Sequence, residues 1–226
     1  MRFPVMLFAA GLGTRMGALT QLRPKPLITV AGKALLDHAM DLCLPQIASK
    51  TVVNLHHLGY QIEQHLHGRD VALAWESTLL ETGGGLRAAL PLLGSGPVMT
   101  LNTDAVWSGD NPLAELVQAW DADRMDALLL LTPTSGALGH TGSGDFSIDA
   151  EGRLQRAKGA PGLVYLGAQI IRTEGLANVA EQVFSLNLLW DKMIATGRAF
   201  GVLHHGGWCD VGQPASIALA EGMLNG

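Results

Sequence analysis

The feature that most constrains the fold of this chain lies at its amino terminus, where an apolar run ends in glycines and a basic cluster. The run is Val5–Ala10, and it leads into Gly11–Gly17 and then Arg23–Leu27. A short apolar run bounded by glycines is typical of a buried strand. Glycines also let backbone N–H groups close around an anion. The segment therefore predicts a strand and a polyphosphate-binding loop, with the cations Arg15 and Lys25 beside it.

The spacing of the glycines excludes the two commoner phosphate loops. A dinucleotide-binding fingerprint, G-x-G-x-x-G, needs its third glycine one residue earlier than Gly17. A Walker loop needs Gly-Lys followed by Ser or Thr, whereas the Gly-Lys pair at Gly32 continues into Ala34. What remains is a different phosphate loop or, for Gly11–Gly13 alone, an ordinary tight turn.

Lys25 is the more informative of the two cations. Pro24 and Pro26 fix φ on both sides of it and favour extended geometry, so the lysine is expected on a stiff, extended segment. A merely solvated lysine rarely needs such a frame. The pattern therefore favours a cation held in place.

Charge and composition limit what the chain binds. With 226 residues and a formal net charge of −5, it is expected to have no basic face for a nucleic acid or an anionic membrane. No stretch approaches the ~18 apolar residues of a membrane span, and Arg2–Pro4 does not begin a signal peptide, which favours a cytoplasmic protein. Cys43 and Cys209 are too isolated for a disulfide framework or a zinc site. The length suits one compact domain over 1–226.

Hydrophobic patterning predicts an α/β fold. Apolar runs alternate with amphipathic stretches, which indicates a Rossmann-like, mostly parallel sheet with helices on both faces. Strands are expected at 3–9, 51–54, 71–75, 98–101, 127–132, 163–171 and 199–203, and helices at 35–44, 60–66, 83–90, 113–121, 181–196 and from Pro214 onward. A small β-hairpin, 146–148 with 153–155, is expected as an insertion that covers one side of the cleft.

Two aspartates are candidate metal ligands. Asp104 follows a predicted buried strand, where a charge is costly unless it binds something. Asp210 precedes the last helix, and each aspartate alone is also typical of a turn or a helix cap. Ligands of parallel sheets bind at the carboxyl ends of the strands, so Asn102–Asp104 are expected beside the glycine loop. Because magnesium takes a few carboxylates plus phosphate oxygens, the pair predicts a Mg²⁺ site.

The two amino-terminal motifs together resemble a known signature. Ala10-Gly11-x-Gly13-Thr14-Arg15 followed by Pro24-Lys25-Pro26-Leu27 is similar to that of the sugar-phosphate nucleotidylyltransferases, the enzymes that make NDP-sugars. The resemblance extends over essentially the whole chain and implies their nucleotide-diphospho-sugar transferase fold. It also implies a nucleotide-binding half over 1–132 and a sugar-binding half over 133–226.

The resemblance carries functional roles onto matching positions. It implies that Arg15 holds the departing pyrophosphate, that Lys25 bridges the reacting phosphates, and that Asp104 and Asp210 hold Mg²⁺, the implied cofactor. The implied nucleotide contacts are Ala10, Gly11, Gly13, Thr14, Glu81, Gly84 and Asn102, and the implied sugar contacts are Asn102, Gly144, Asp145, Arg156, Lys158 and Gly167. The chain departs from the family at Thr103, whose side chain is expected to alter the geometry beside Asp104.

Glu81–Gly85 matches the family segment that packs under the nucleobase. Three glycines before a helix are expected to leave bare backbone groups that read a base edge, although a flexible loop is the simpler alternative. Within the family, this segment and Gly142–Phe146 resemble the uridylyltransferases that act on N-acetylmuramic acid 1-phosphate in cell-wall recycling. Many relatives carry Glu-Lys-Pro where this chain has Ala157. Without that carboxylate, the flanking cations Arg156 and Lys158 could attract an acidic sugar. The alternative is that both cations are solvated surface charges.

The expected activity is therefore transfer of UMP from UTP to a sugar 1-phosphate, with release of pyrophosphate. A guanylyl- or thymidylyltransferase for another hexose 1-phosphate, and a phosphocholine cytidylyltransferase, are alternatives within the enzyme class. A regulatory module that binds nucleotide sugars without turnover is the alternative outside it, but the presence of all four implied charged residues disfavours such a module. The expected partners are UTP and the sugar 1-phosphate, and the sequence leaves the oligomeric state open.

Overall fold

A computed structural model describes residues 1–226, which form six α-helices and fourteen strands. The strands are β1 (Phe3–Phe8), β2 (Thr29–Val30), β3 (Lys33–Ala34), β4 (Ala48–Leu55), β5 (Ala72–Trp75), β6 (Val98–Asn102), β7 (Ala105–Ser108), β8 (Ala127–Pro133), β9 (Ala137–Leu138), β10 (Phe146–Ile148), β11 (Leu154–Arg156), β12 (Leu163–Ile171), β13 (Ala199–Leu203) and β14 (Gly207–Asp210). The helices are α1 (Leu35–Leu42), α2 (Gly59–His65), α3 (Glu81–Leu93), α4 (Pro112–Ala119), α5 (Asn187–Ala195) and α6 (Ala215–Asn225).

The central sheet has nine strands and is mostly parallel, as predicted. Its main path runs β11-β10-β12-β6-β1-β4-β5, and β8 pairs with both β12 and β13. Strands β1, β4, β5 and β6 are parallel to one another, and β13 is parallel to β8. Strand β12 runs antiparallel to β6 and β8. The parallel strands therefore share one carboxyl edge, which is where a ligand is expected to bind.

Helices cover both faces of this sheet. Successive side chains of a strand point to opposite faces. In β1, Val5 and Leu7 belong to one buried cluster, with residues of α1, α2 and α4. Met6 between them belongs to a second cluster, with residues of α3 and α5. The predicted doubly covered α/β sheet is confirmed.

A small second sheet, which the sequence did not predict, consists of β7, β14 and β9. Its strands have only two to four residues and lie among loops, so they have no clear periodicity. Helix α6 packs on this sheet, and Val106, Cys209 and Ala220 share a third buried cluster there. The sheet brings together two segments that lie about a hundred residues apart in sequence.

The prediction of a helix from 181 is wrong for its first six residues. Helix α5 begins only at Asn187. The preceding segment crosses α3 instead, where Arg87 donates to the carbonyl oxygens of Val179 and Glu181, both at 2.6 Å. These side-chain contacts to the backbone stabilise an irregular path over a continuation of the helix.

The predicted hairpin is present as β10 and β11, and it joins the main sheet through the pairing of Phe146 with Leu163. Strand β12 pairs with β6 from Ala168 onward, so its first residues extend past the end of β6. The hairpin therefore lies beyond the carboxyl edge of the parallel strands. None of the helices is both long enough and apolar enough to cross a membrane.

Candidate active site

A cavity of about 260 Å³ opens at the carboxyl ends of β1, β4, β5 and β6. Each of these strands contributes residues from its end or from the loop that follows. The lining residues are Phe8, Ala9, Ala10, Gly11, Lys25, Pro26, Asn54, Glu76, Leu79, Glu81, Thr82, Asn102, Thr103 and Asp104. Ala10, Gly11, Lys25, Glu81, Asn102 and Asp104 among them were predicted from the sequence as site residues.

The glycine loop after β1 presents unpaired backbone donors. The N–H groups of Ala10, Gly11, Leu12 and Gly13 donate to no other group of the protein. Gly13 adopts a left-handed conformation with φ of 63°, and a Cβ there would lie 2.9 Å from the Cβ of Lys25. Only glycine fits this turn without strain. A run of free N–H groups at the mouth of a cavity is suited to an anion.

Lys25 lies under this loop and differs in conformation from the prediction. Pro24 is extended, but Lys25–Leu27 form one turn of 3₁₀-helix because the Leu27 and Ile28 N–H groups bond back to Pro24 and Lys25. The residue is only 8% exposed, so its stem is packed in the protein. Its Nζ donates to Asp104 Oδ2 at 2.8 Å. The ammonium is held at the cavity, as predicted, although the geometry that holds it is a turn.

Asp104 and Asp210 come together through the small sheet. Strand β7 begins directly after Asp104, β14 ends at Asp210, and Asp210 pairs with Ala105 across the two strands. The Val211 N–H also donates to the Asp104 carbonyl at 2.8 Å. Burial raises the pKa of Asp210, and the neighbouring charge of Asp104 raises it further. Lys25, Arg15 and His140 oppose that rise in pKa.

Two neighbouring carboxylates that repel each other are suited to a divalent cation. No cluster of three or more His, Cys, Asp or Glu side chains exists that could hold a metal by itself. Mg²⁺ does not need one, because it commonly binds one or two carboxylates and completes its shell with water and phosphate oxygens. The donor set at Asp104 and Asp210, beside a loop that suits phosphate, fits this pattern.

Arg15 and Thr14 lie at the open side of the site. The Arg15 guanidinium is 3.9 Å from Asp210 Oδ2, and its side chain is 70% exposed. A Cβ on Gly212 would lie 2.8 Å from that Asp210 oxygen and 2.9 Å from the Arg15 nitrogen, so glycine leaves room for both groups. Such a weak, exposed ion pair stabilises the fold little. Arg15 is therefore free to bind an anionic ligand, and Thr14 is exposed beside it.

Thr103 ties two strand ends together. Its Oγ1 donates to the Phe8 carbonyl at 2.7 Å, and the residue is 2% exposed. The hydroxyl therefore connects the ends of β6 and β1 on either side of the cavity. Thr103 therefore adds a side-chain hydrogen bond beside Asp104.

Asn102 and Gly167 are in direct contact. Gly167 lies in an irregular stretch of β12, between Tyr165 and Gln169, with φ of 79°. A Cβ there would lie 2.8 Å from the Asn102 side chain, which lines the cavity. Glycine at 167 thus leaves the space that the Asn102 carboxamide occupies.

We expect Gly167→Ala to lower kcat/KM about tenfold or more. The new methyl group would displace Asn102, and the alanine backbone would be forced into a left-handed conformation. Gly68→Ala is the matched control. Gly68 has φ of 81° and no atom within 4 Å of its Cβ position, so it isolates the backbone strain. Steady-state kinetics and melting temperatures of both variants would check this. Equal losses of activity in the two variants would refute a role for the contact.

The prediction that the three consecutive glycines, Gly83–Gly85, leave free backbone groups to read a base is wrong. They lie inside the first turns of α3 and are buried, not in a loop before it. The N–H groups of Gly83 and Gly84 donate to the Phe184 carbonyl at 2.9 and 3.0 Å, so they are not free to read a base. A Cβ on Gly84 would meet the Gln182 carbonyl. These glycines let the 182–184 segment approach the helix, and Gly84 does not line the cavity.

Glu81 does line the cavity and has an unusual backbone. It is exposed and adopts φ of 63°, which a residue with a side chain rarely does. Thr82 lines the cavity beside it, and its Oγ1 accepts the Leu186 N–H at 3.0 Å. A strained residue at the mouth of a cleft is a candidate for ligand recognition.

The predicted sugar contacts of the hairpin region lie outside this cavity. Asp145 Oδ2 accepts the Tyr165 N–H at 2.9 Å, and a Cβ on Gly144 would meet the Gly162 backbone, so both residues shape the hairpin. Arg156 Nε donates to Asp191 Oδ1 at 2.8 Å, and its guanidinium lies 4.8 Å from the centre of the Phe146 ring. The charge of Arg156 is therefore already compensated.

Lys158 remains as the candidate cation of this segment. It is exposed, follows Ala157 and has φ of 50°.

Two buried polar residues of the cavity, Asn54 and Glu76, were not predicted from the sequence. Asn54 lies near the end of β4 and Glu76 directly follows β5, and they are 4% and 5% exposed. The signal that identified Asp104, a polar residue at the end of a buried strand, was present at both. Neither residue belongs to a recognised motif.

The MobA-like NTP transferase domain matches residues 5–165. An N-acetylmuramate alpha-1-phosphate uridylyltransferase of Caulobacter vibrioides is 40% identical over 97% of this chain and 96% of its own length. The protein of the same description from Neisseria meningitidis serogroup B is 33% identical over 96% of each chain.

Solved structures share the fold. HddC from Yersinia pseudotuberculosis has a TM-score of 0.77 at 19% identity, and covers 98% of this chain and 99% of its own. A putative glucose-1-phosphate thymidylyltransferase from Bacillus anthracis has a TM-score of 0.80 at 13% identity, over 97% and 94% of the two chains. At these identities the likeness concerns the fold alone. Together with the matched domain and the full-length relatives, it leads to one conclusion: this chain belongs to the MobA-like NTP transferase family.

Proposed function

We propose that this protein transfers UMP from UTP to N-acetylmuramic acid α-1-phosphate and releases pyrophosphate. The observation that carries the proposal is the run of unpaired N–H groups at Ala10–Gly13, beside Lys25 and two neighbouring carboxylates. That arrangement suits a polyphosphate. The two full-length relatives bear this activity in their descriptions, which supports both the base and the sugar.

The residues divide into a nucleotide side, 1–132, and a sugar side, 133–226. The triphosphate lies on the glycine loop, and the base enters the cavity toward Glu81. The sugar phosphate approaches from the edge where β12 and the hairpin extend past β6. Asn102, in contact with Gly167, lies between the two sides and contacts both substrates.

The reaction needs charge neutralisation and alignment and no general base. An oxygen of the sugar 1-phosphate attacks the α-phosphorus of UTP, a new P–O bond forms, and the bond to the bridging oxygen breaks in line. Both electrons of the broken bond leave with pyrophosphate. The nucleophile is already an anion, so catalysis consists of positioning and electrostatic stabilisation.

Two cationic side chains act on the phosphates directly, and two carboxylates would act on them through Mg²⁺. The Lys25 ammonium has three donors, so it keeps Asp104 and still reaches the α-phosphate and the incoming phosphate. Arg15, which is exposed, holds the departing pyrophosphate. Asp104 and Asp210 would hold Mg²⁺, which neutralises charge on the phosphate oxygens when bound.

A panel of four NTPs against several sugar 1-phosphates, scored by pyrophosphate release, tests the proposal. UTP with N-acetylmuramic acid α-1-phosphate is expected to give the highest kcat/KM. A higher value for GTP, dTTP or CTP would assign another base, and a higher value for another sugar phosphate would assign another acceptor. Binding of nucleotide without turnover of any pair would make the protein a regulatory module.

Selection of the acidic sugar is expected to depend on Lys158. A charge-assisted contact contributes about 1.5–3 kcal/mol, so Lys158→Ala should lower the preference for N-acetylmuramate over N-acetylglucosamine 1-phosphate roughly tenfold or more. Ala157→Glu should lower it further, by placing a carboxylate beside the lactyl group. Arg156→Ala is the control, because Arg156 already pairs with Asp191 and should leave the preference unchanged. An unchanged ratio in all three variants would show that this segment does not select the sugar.

A further inference from the structure

Asn54 and Glu76 form a buried hydrogen-bonded relay beside the cavity. The Ala9 N–H donates to Asn54 Oδ1 at 2.7 Å, and Asn54 Nδ2 donates to Glu76 Oε1 at 2.7 Å. The other oxygen of Glu76, Oε2, accepts the Leu80 N–H at 3.0 Å. Both side chains are at least 95% buried and line the cavity.

The direction of every bond in the relay is fixed by its two ends. The backbone N–H groups of Ala9 and Leu80 can only donate, so each must face an oxygen. Asn54 must therefore present its oxygen to Ala9 and its amino group to Glu76, which accepts at both oxygens. A pair of one carboxamide and one carboxylate satisfies the four side-chain atoms that make these three bonds. A buried network of this kind is stable only when every member is paired.

The relay joins the two parts of the site that would hold different parts of a nucleotide. Ala9 immediately precedes the unpaired N–H groups of Ala10–Gly13. Leu80 immediately precedes Glu81, whose left-handed backbone lines the far side of the cavity. Gly85 allows this arrangement, because a Cβ there would lie 2.6 Å from Glu76 Oε1.

We propose that Asn54 and Glu76 are positioning residues that hold the phosphate loop and the Glu81 turn in one fixed geometry, so that the triphosphate and the base of the nucleotide are bound as a unit. This inference rests on the proposed function. It assigns to Glu76 no contact with the reacting atoms. Its role is to hold Leu80 directly and Ala9 through Asn54.

An exchange of the two side-chain types tests the relay. In Glu76→Gln the new amino group faces that of Asn54, and in Asn54→Asp two carboxylates face each other. The double variant carrying both changes restores the pattern. Its carboxylate at position 54 accepts from Ala9 and from the carboxamide at position 76, and the oxygen of that carboxamide still accepts from Leu80. Each single variant is expected to raise the KM for UTP and the Kd for UTP measured by calorimetry about tenfold or more. The KM for the sugar 1-phosphate should change less than threefold.

The double variant is expected to bring the KM and the Kd for UTP back to within about threefold of the wild type. Thr173→Val is the control for loss of a buried hydrogen bond. It removes the bond to the Gly96 carbonyl at the opposite edge of the sheet, and it should lower the melting temperature without changing the KM for UTP. A double variant as impaired as Glu76→Gln would mean that the carboxylate at 76 binds the nucleotide itself, and the relay would be wrong.

Single variants that lose stability but keep the wild-type KM and Kd for UTP would make the network purely structural and would also overturn the proposal. Failure of the proposed function is a separate result. It would appear as a wild-type protein that uses another nucleotide or none, before any variant is made.

Discussion

Replacing Lys25 with methionine is expected to lower kcat about a hundredfold or more, the loss typical of removing one preorganised charge from an active site. The ammonium lies at the cavity, 2.8 Å from Asp104, and no other lysine lines it. Methionine is the informative replacement because the Lys25 stem is buried, and alanine would leave a void there as well as remove the charge.

Pyrophosphate release at saturating substrates and a melting curve would check this prediction. Lys50→Met provides the matched control, since Lys50 is exposed and its Nζ donates to the Leu92 carbonyl, away from the cavity. The control should retain kcat within about twofold. A Lys25→Met protein with near-normal kcat would show that Lys25 is not a catalytic residue. If Lys25→Met does not fold, Lys25→Arg would replace it as the test.

The parts of the site that the sequence predicted are those that depend on local chain order. A strand that ends in glycines fixes the loop at Ala10–Gly13, and parallel β1 and β6 bring Asn102 beside it. Both facts follow from the alternation of strands and helices, because parallel strands end at a common edge. The hairpin likewise follows from two short runs and a turn.

The parts that the sequence did not predict depend on contacts between distant segments. The sequence predicted Asp104 and Asp210 as a pair, but it did not predict the sheet that joins them, because β7 and β14 are too short to show a period of two. The glycines of α3 were interpreted as free backbone. Glycine is instead required there because Phe184, about a hundred residues away, packs against the helix. Arg156 was expected at the sugar, and its ion pair with Asp191 on α5 could not be read from the spacing.

The substitution Asp210→Asn is expected to separate the function of this residue from its effect on stability. Activity should fall about a hundredfold, and more Mg²⁺ should be needed for half of the remaining rate, because the site loses one of two carboxylates. The side chain keeps its size, so the strands that carry it should still pair.

Stability should move in the opposite direction. Burial and the charge of Asp104 raise the pKa of Asp210 in the folded protein above its ordinary value of 3.8. For a carboxyl group with a raised pKa, the contribution to folding is fully present below the unfolded value and is lost as pH rises through the folded value. At pH 7.5, well above the unfolded value, the raised pKa therefore lowers the stability of the metal-free protein, and the neutral carboxamide of the variant removes that cost.

Metal-free Asp210→Asn protein should thus melt at or above the wild-type temperature at pH 7.5, and the two melting temperatures should converge below about pH 4. Adding Mg²⁺ with UTP should raise the melting temperature of the wild type more than that of the variant, because a ligand stabilises the state that binds it in proportion to its affinity. Melting curves with and without Mg²⁺ at the two pH values provide the measurement. A variant that melts lower without metal, yet gains as much from Mg²⁺ as the wild type does, would mean that Asp210 supports the fold and does not hold the cation.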